Sequence, residues 1–237
     1  MRSSKKDVGL PKAIRIAPFR QRAAVFFKRG RPPLATFVGN SDEVRTAQAK
    51  RLWCDIGVAR ELGFSSFEAY LATIPEIPEA LLKHDPGFPL RVLVETRVGL
   101  KRLCGLGGVV FPGCDETFVE HDERHREFAQ PTWILVQDGR KNRNRAVRDC
   151  RKSFAKDELG LTVLQGVCTY LHHPQAVTEM TRVDSHVMDL SGSLPRGDRG
   201  GAAFLGLWGG QPELHWYWGD RARPQFGSAS RRECKVL

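Results

Sequence analysis

The sequence predicts an α+β protein: a helical N-terminal half, and a small, mainly antiparallel sheet that includes a C-terminal β-hairpin. Three observations predict it. Between Ser41 and Leu82 apolar residues recur at helical spacing between capping signals. Trp133-Ile134-Leu135-Val136 is instead a short β-branched and aromatic run that ends in Gln137-Asp138-Gly139, as a strand does. Finally, two aromatic-rich runs, Phe204–Trp208 and Glu213–Trp218, flank Gly209-Gly210, a dipeptide suited to a tight hairpin turn.

In chain order, residues 1–40 read as a basic N-terminal arm in which Pro11, Pro18, Pro32 and Pro33 interrupt any long helix. Within it Ala23–Phe27 is a short apolar piece able to dock on the body. Residues 41–130 read as a helical region. Ser41-Asp42-Glu43 opens a helix with acids in the first turn, Val44, Ala47, Leu52, Ile56, Ala59 and Leu62 give its apolar stripe, and Gly63 ends it. Ser65-x-x-Glu68 is a capping-box pattern for a second helix through Ile74. Pro75 and Pro78 stop that helix, and a short one follows through Leu82. Leu90–Val94 fits either a strand or the start of a helix ending at Gly105, and Val109-Val110-Phe111 fits a short strand.

Residues 131–237 read as an α+β unit, with 41–237 as a single domain the alternative. Its elements are the Trp133–Val136 strand, a basic helix from about Asn144 to Phe154, and a helix Val163–His172 capped by Thr162-x-x-Gln165. A helix opening at Pro174 and the hairpin complete it.

The chain has 237 residues, enough for one substantial core, and 41% apolar residues, the content of an ordinary globular protein. No window approaches the roughly 18 consecutive apolar residues of a membrane helix. Ala23–Phe27 is too short and too late for a secretory core, so no membrane partner and a cytoplasmic location are expected. The six cysteines form no CxxC pair and are expected to be reduced thiols.

The net charge of +10 is localised. Residues 1–31 hold ten Lys/Arg against Asp7, whereas the remainder holds 27 basic and 26 acidic side chains. Within that balanced body, residues 140–156 carry eight basic groups against Asp149, and residues 115–127 carry six acids against two arginines. Such blocks form either a self-complementary surface or partner-facing patches.

Several pieces of the last hundred residues are distinctive: Trp133–Gly139, Gly160-Leu161-Thr162 through Gly166-Val167, His173-Pro174, Asp189-Leu190-Ser191-Gly192-Ser193, the Trp208–Trp218 hairpin and Gly227-Ser228-Ala229-Ser230. In this order, from about residue 133 to 232, the chain resembles a bacterial domain-of-unknown-function family. The resemblance implies one compact C-terminal unit and brings no substrate, cofactor or catalytic residue.

Four constellations carry chemistry. Arg140, Lys141, Arg143, Arg145, Arg148 and Lys152 form a basic helical face suited to a phosphate backbone, or else a solvated face paired with the acidic block. Ser191, Ser193, Ser228 and Ser230 with Arg231 could present backbone N–H groups and a guanidinium to a small anion, or simply make tight turns. Cys104, Cys114, His121 and His125 supply two thiolates and two imidazoles of a zinc site, with the histidines on one helix face. The nine-residue gap between the cysteines is long for a zinc knuckle, and the acids Asp122 and Glu123 also suit a solvated helix. Last, a nucleophile–base pair could be built from Cys168 with His172 or His173, or from Ser191 or Ser193 with His186 and Asp184. Trp208, Trp216 and Trp218 are expected to fill a core. The function expected first is therefore a non-enzymatic binding protein whose basic surface contacts nucleic acid or an acidic protein. The alternative is an enzyme or small-anion binder using the Ser/Gly loops, or a zinc protein.

Overall fold

In a computed structural model, the structure describes residues 40–112, 118–180, 184–198 and 200–233. Residues 1–39 of the expected N-terminal arm, and Cys114, lie outside the described residues.

The fold is α+β. The Asn40 side chain accepts from the Glu43 N–H at 3.0 Å and opens α1 (Ser41–Lys50). The predicted single helix to Gly63 is broken, because residues Arg51–Ile56 widen into a π-helical turn. Gly57, at φ +82°, closes that turn on the Leu52 carbonyl before α2 (Val58–Glu61). Ser66 caps α3 (Phe67–Leu71), and α4 (Glu79–Leu82) follows Pro78. Leu90–Val94 resolves as strand β1, and α5 runs Leu100–Gly107 to a left-handed Gly108. The expected Val109–Phe111 strand reduces to one bridge from Val110 to Glu213.

Next come β2 (Phe118–Glu120), a 3-10 turn at Glu123–His125, and β3 (Thr132–Gln137). The basic segment is a 3-10 turn, Arg140–Asn142, followed by α6 (Val147–Ser153), which is shorter than the predicted helix. β4 (Glu158–Gly160) leads to α7 (Val163–His172), which has the predicted bounds and a complete capping box between Thr162 and Gln165. Pro174 opens only a 3-10 turn. The rest is strand: β5 (Val187–Leu190), β6 (Ser193–Pro195), β7 (Gly201–Trp208), β8 (Gln211–Trp218), β9 (Phe226–Ser228) and β10 (Ser230–Arg232). The predicted hairpin is β7–β8, paired over all eight residues of each strand around Gly209 and Gly210 at φ +56° and +77°.

The sheet is larger than the predicted small one. Among the described residues two four-stranded sheets form, ordered β1-β3-β10-β4 and β8-β7-β5-β9, with β2 and β6 paired beside them. β1, from the expected helical region, pairs antiparallel with β3, from the expected C-terminal unit. Residues 41–130 and 131–237 thus share one sheet.

Only Ala229 separates β9 from β10, and this one extended segment enters both large sheets. β9 runs parallel to β5, while β10 lies between β3 and β4. At the crossing the chain is so close to Gly139 that a Cβ on Gly227 would come within 2.2 Å of the Gly139 carbonyl. All ten residues of α7 are buried, against β1, β5 and β7.

Candidate functional site

Two cavities share β2 as a common wall. The first, about 500 Å³, opens at the N-termini of α5 and α7. Its apolar surface comes from Val98, Leu100, Phe118, Val163 and Leu164, and from Phe111, whose ring stacks on that of Phe118 at 5.6 Å. Three polar side chains, Thr96, Glu127 and Ser193, converge on this lining, with Lys101 and Glu120 also contributing. The second cavity, about 550 Å³, lies beyond β2 and is lined by Glu120, His121, Leu194, Pro195 and Asp198 among others.

Each polar group is placed by a local device. Thr96 follows β1 in a loop anchored by the buried Glu95, whose carboxylate takes the Tyr70 hydroxyl at 2.9 Å and the Arg97 guanidinium at 2.6 Å. The Thr96 Oγ1 is buried and has no hydrogen-bond partner among the described residues. Ser193 accepts the Val163 N–H of the first α7 turn at 3.0 Å, which leaves its own O–H proton free to donate. Glu127 accepts from the Thr162 hydroxyl and from the Gln165 amide, the two side chains of the capping box. Burial pushes the Glu127 carboxyl above the ordinary range, and these two hydrogen bonds oppose the shift.

The turn between β2 and Glu127 carries the histidines. It is a 3-10 turn, not the predicted helix. The Asp122 Oδ1 caps it, accepting the Arg124 N–H at 2.9 Å and meeting the His125 Nδ1 at 2.8 Å, while Asp122 Oδ2 lies 3.4 Å from the His121 Nδ1. The two imidazole rings stand edge to face, with centroids 5.5 Å apart. Burial holds both histidines below their ordinary pKa, most directly at the buried His125, although Asp122 pulls the other way. Burial disfavours the Asp122 anion, but contacts with His125 and Arg124 hold it well below the carboxylate range.

Of the sequence-predicted zinc set, Cys114 lies outside the described residues, and Cys104 does not join the two histidines. Cys104 is buried on α5, with its thiol pushed up to about 12 by desolvation, and it is not part of the His121–Asp122–His125 group. The predicted Cys168 nucleophile is shut away from solvent. The Cys168 thiol is fully enclosed and raised, and His172 donates Nε2–H to the Leu93 carbonyl at 3.1 Å.

The Ser/Gly loops do meet, since Asp189 of β5 faces Ser228 of β9 in register. Their hydroxyls point into the protein. Ser230 donates to Glu158, Ser228 lies against the Cys150 thiol, and the buried Ser191 Oγ has no hydrogen-bond partner among the described residues. Arg231 is buried, its guanidinium 5.2 Å from the Phe128 ring centroid and 3.3 Å from the Arg124 carbonyl. Only Ser193 of this group lines the first cavity.

The basic block is largely engaged within the fold. Arg140 pairs with Asp138, and Lys141 with Glu158 at 3.0 Å. Arg143 reaches the Ser185 carbonyl at 2.7 Å, and Arg145 reaches Ser153 at 2.8 Å. Arg151, which the sequence places in the same block, points inward to the Ser191 carbonyl at 2.8 Å. Arg148 and Lys152 are exposed on α6. Trp218 is 64% exposed, against the expectation of a filled core, while Tyr217 between the two tryptophans is buried.

Sequence reasoning missed Thr96, Asp122, Glu127 and Asp189. The spacing His121-Asp122-x-x-His125 was visible, but reading it as a helix assigned Asp122 to solvent. Asp189 of β5 is fully buried, and neither carboxylate oxygen has a hydrogen-bond partner among the described residues. Burial raises it to about 8, although the Tyr217 hydroxyl, Arg223 and Arg151 all favour its anion. No family model, curated protein or solved structure matches the chain.

Proposed function

We propose that the protein binds a small, mostly apolar organic molecule with a hydroxyl or carbonyl end in the cavity at the N-termini of α5 and α7. One observation carries this reading: the polar side chains of Ser193 and Glu127 stand, beside Thr96, in the wall of a cavity of about 500 Å³ whose lining is otherwise chiefly aliphatic and aromatic. That size and mixture suit a small-molecule site. The apolar body would lie against Phe118, Val98 and Leu164. The polar end would accept from Ser193, and a ligand hydroxyl would donate to Glu127.

Fluorescence titration with 2-naphthol, an aromatic body carrying one hydroxyl, tests the reading. One saturable site is expected. Val119→Trp, at a half-buried position on β2, fills the cavity and should weaken binding tenfold or more, and Glu127→Gln should weaken it less. Absence of saturation up to the solubility limit, or unchanged affinity in a folded Val119→Trp protein, rejects the proposal.

A further inference from the structure

Beyond β2 the chain builds a second constellation that the organic-ligand reading does not use. His121, Asp122 and His125 each bring one nitrogen or oxygen to within 4.8 Å of the others. Among the described residues no other group of three or more His, Cys, Asp or Glu side chains converges in this way.

The convergence is held from several sides. The His121 N–H donates to the Gly192 carbonyl at 2.9 Å, anchoring the start of the turn to the loop between β5 and β6. Asp122 caps the turn through the Arg124 N–H. Gly192 also packs on the imidazole of His125, where a Cβ would come within 2.7 Å of Cδ2. His125 is buried, Asp122 half-buried and His121 exposed, so the group grades from the protein interior to the second cavity, which His121 and Glu120 line.

We propose that His121, Asp122 and His125 bind a divalent transition-metal ion of the zinc and cobalt class, with a coordination position open to the second cavity. Two imidazoles and one carboxylate form a borderline donor set that suits these ions better than calcium or magnesium. Three protein ligands at a cavity wall describe an open site, in contrast to the closed four-ligand sites that serve only structure. Glu120, at the end of β2, lines both cavities and stands next to the open position. Two contacts are exchanged on binding. Asp122 gives up its hydrogen bond to His125, and the exposed Arg124 guanidinium, 3.3 Å from Asp122 Oδ2, is released. Exposed pairs of the second kind are weak. Cys104 takes no part, because it is buried in the core on α5.

Titration of the full chain with Co(II), followed by visible absorption and by competition with Zn(II), tests the proposal. One equivalent is expected, with d–d bands and no thiolate-to-metal charge-transfer band. His121→Ala removes an exposed side chain and should leave the fold intact while weakening Co(II) tenfold or more. Asp122→Asn should do the same, and His84→Ala, at another exposed histidine, should change nothing. Co(II) bound with unchanged affinity in a folded His121→Ala protein, a thiolate band, or no stoichiometric binding by the wild type overturns the site. None of these results bears on 2-naphthol, so the two cavities are tested separately.

Discussion

Three histidines show how single residues set the pH range in which this protein is stable. His172, His173 and His186 each donate Nε2–H to a backbone carbonyl, those of Leu93, Arg91 and Asp138 respectively. Each keeps a buried Nδ1 with no hydrogen-bond partner among the described residues. Protonation would place an unpaired cationic N–H in the interior, and burial accordingly holds all three below the ordinary imidazole range. The unfolded chain takes up these protons below about pH 6.5 and the folded chain does not, so stability falls as pH drops, by at most about 1.4 kcal/mol per pH unit per imidazole. Asp189 works in the opposite direction. With its pKa raised to about 8, it keeps its proton in the folded state across the range in which the unfolded carboxyl, at about 4, has lost it. Stability from this group is therefore lost as pH rises from about 4 to 8. Urea midpoints should peak near pH 6–7. Asp189→Asn should remove the alkaline decline, giving a higher midpoint than wild type at pH 8, and should leave the acid limb in place. A variant that tracks the wild type at pH 8 would mean that Asp189 is not held protonated.

At the scale of elements, α7 has the most connections and was the most legible. Its capping box, Thr162-x-x-Gln165, and the boundary at Pro174 set both ends from local chemistry alone. Thr162 also holds Glu127 at the cavity, so Thr162→Ala removes the cap and releases that carboxylate. The expected cost is about 1–2 kcal/mol in urea unfolding, at the upper end for a lost cap, together with weaker 2-naphthol binding; intact affinity would separate the cap from the site. The hairpin was equally legible, because a Gly-Gly turn between two aromatic runs has few alternatives. Other elements depended on distant partners. Leu90–Val94 is a strand because β3 pairs with it, a contact some forty residues away that no local window contains. The π-helical turn at Arg51–Ile56 leaves no signature beyond Gly57. The basic helix was over-read for a related reason: its charges suggested solvent, whereas Arg143 and Arg151 are drawn inward by carbonyls of the β5–β6 region. The cavity itself was not legible, because Thr96, Glu127 and Ser193 come from three separate parts of the chain and only the fold brings them together.

For the molecule as a whole, the segment Phe226–Arg232 joins the two four-stranded sheets, β9 pairing with β5 and β10 lying between β3 and β4. The Ala229 N–H donates to the Asp189 carbonyl and its own carbonyl accepts the Leu161 N–H, so the residue between the two strands is itself tied to β5 and to the entry of α7. Gly227→Ala would drive a methyl group into the Gly139 carbonyl at the crossing and is expected to cost about 1–3 kcal/mol. Far-UV circular dichroism and tryptophan fluorescence should then report one coincident, earlier urea transition. Two separated transitions would show that the sheets are independently stable.

The position of that segment also governs how the protein reaches its native state. Ser230 and Gln137, which meet in the interior, lie 93 residues apart in the chain. Until residues 226–232 arrive, β3 and β4 each present an open edge of unsatisfied amides, and neither four-stranded sheet can close. Topologies completed by such remote pairings mature slowly, with those edges exposed to wrong partners in the meantime. A nascent chain of this protein will therefore depend on whatever shields its incomplete sheets during synthesis.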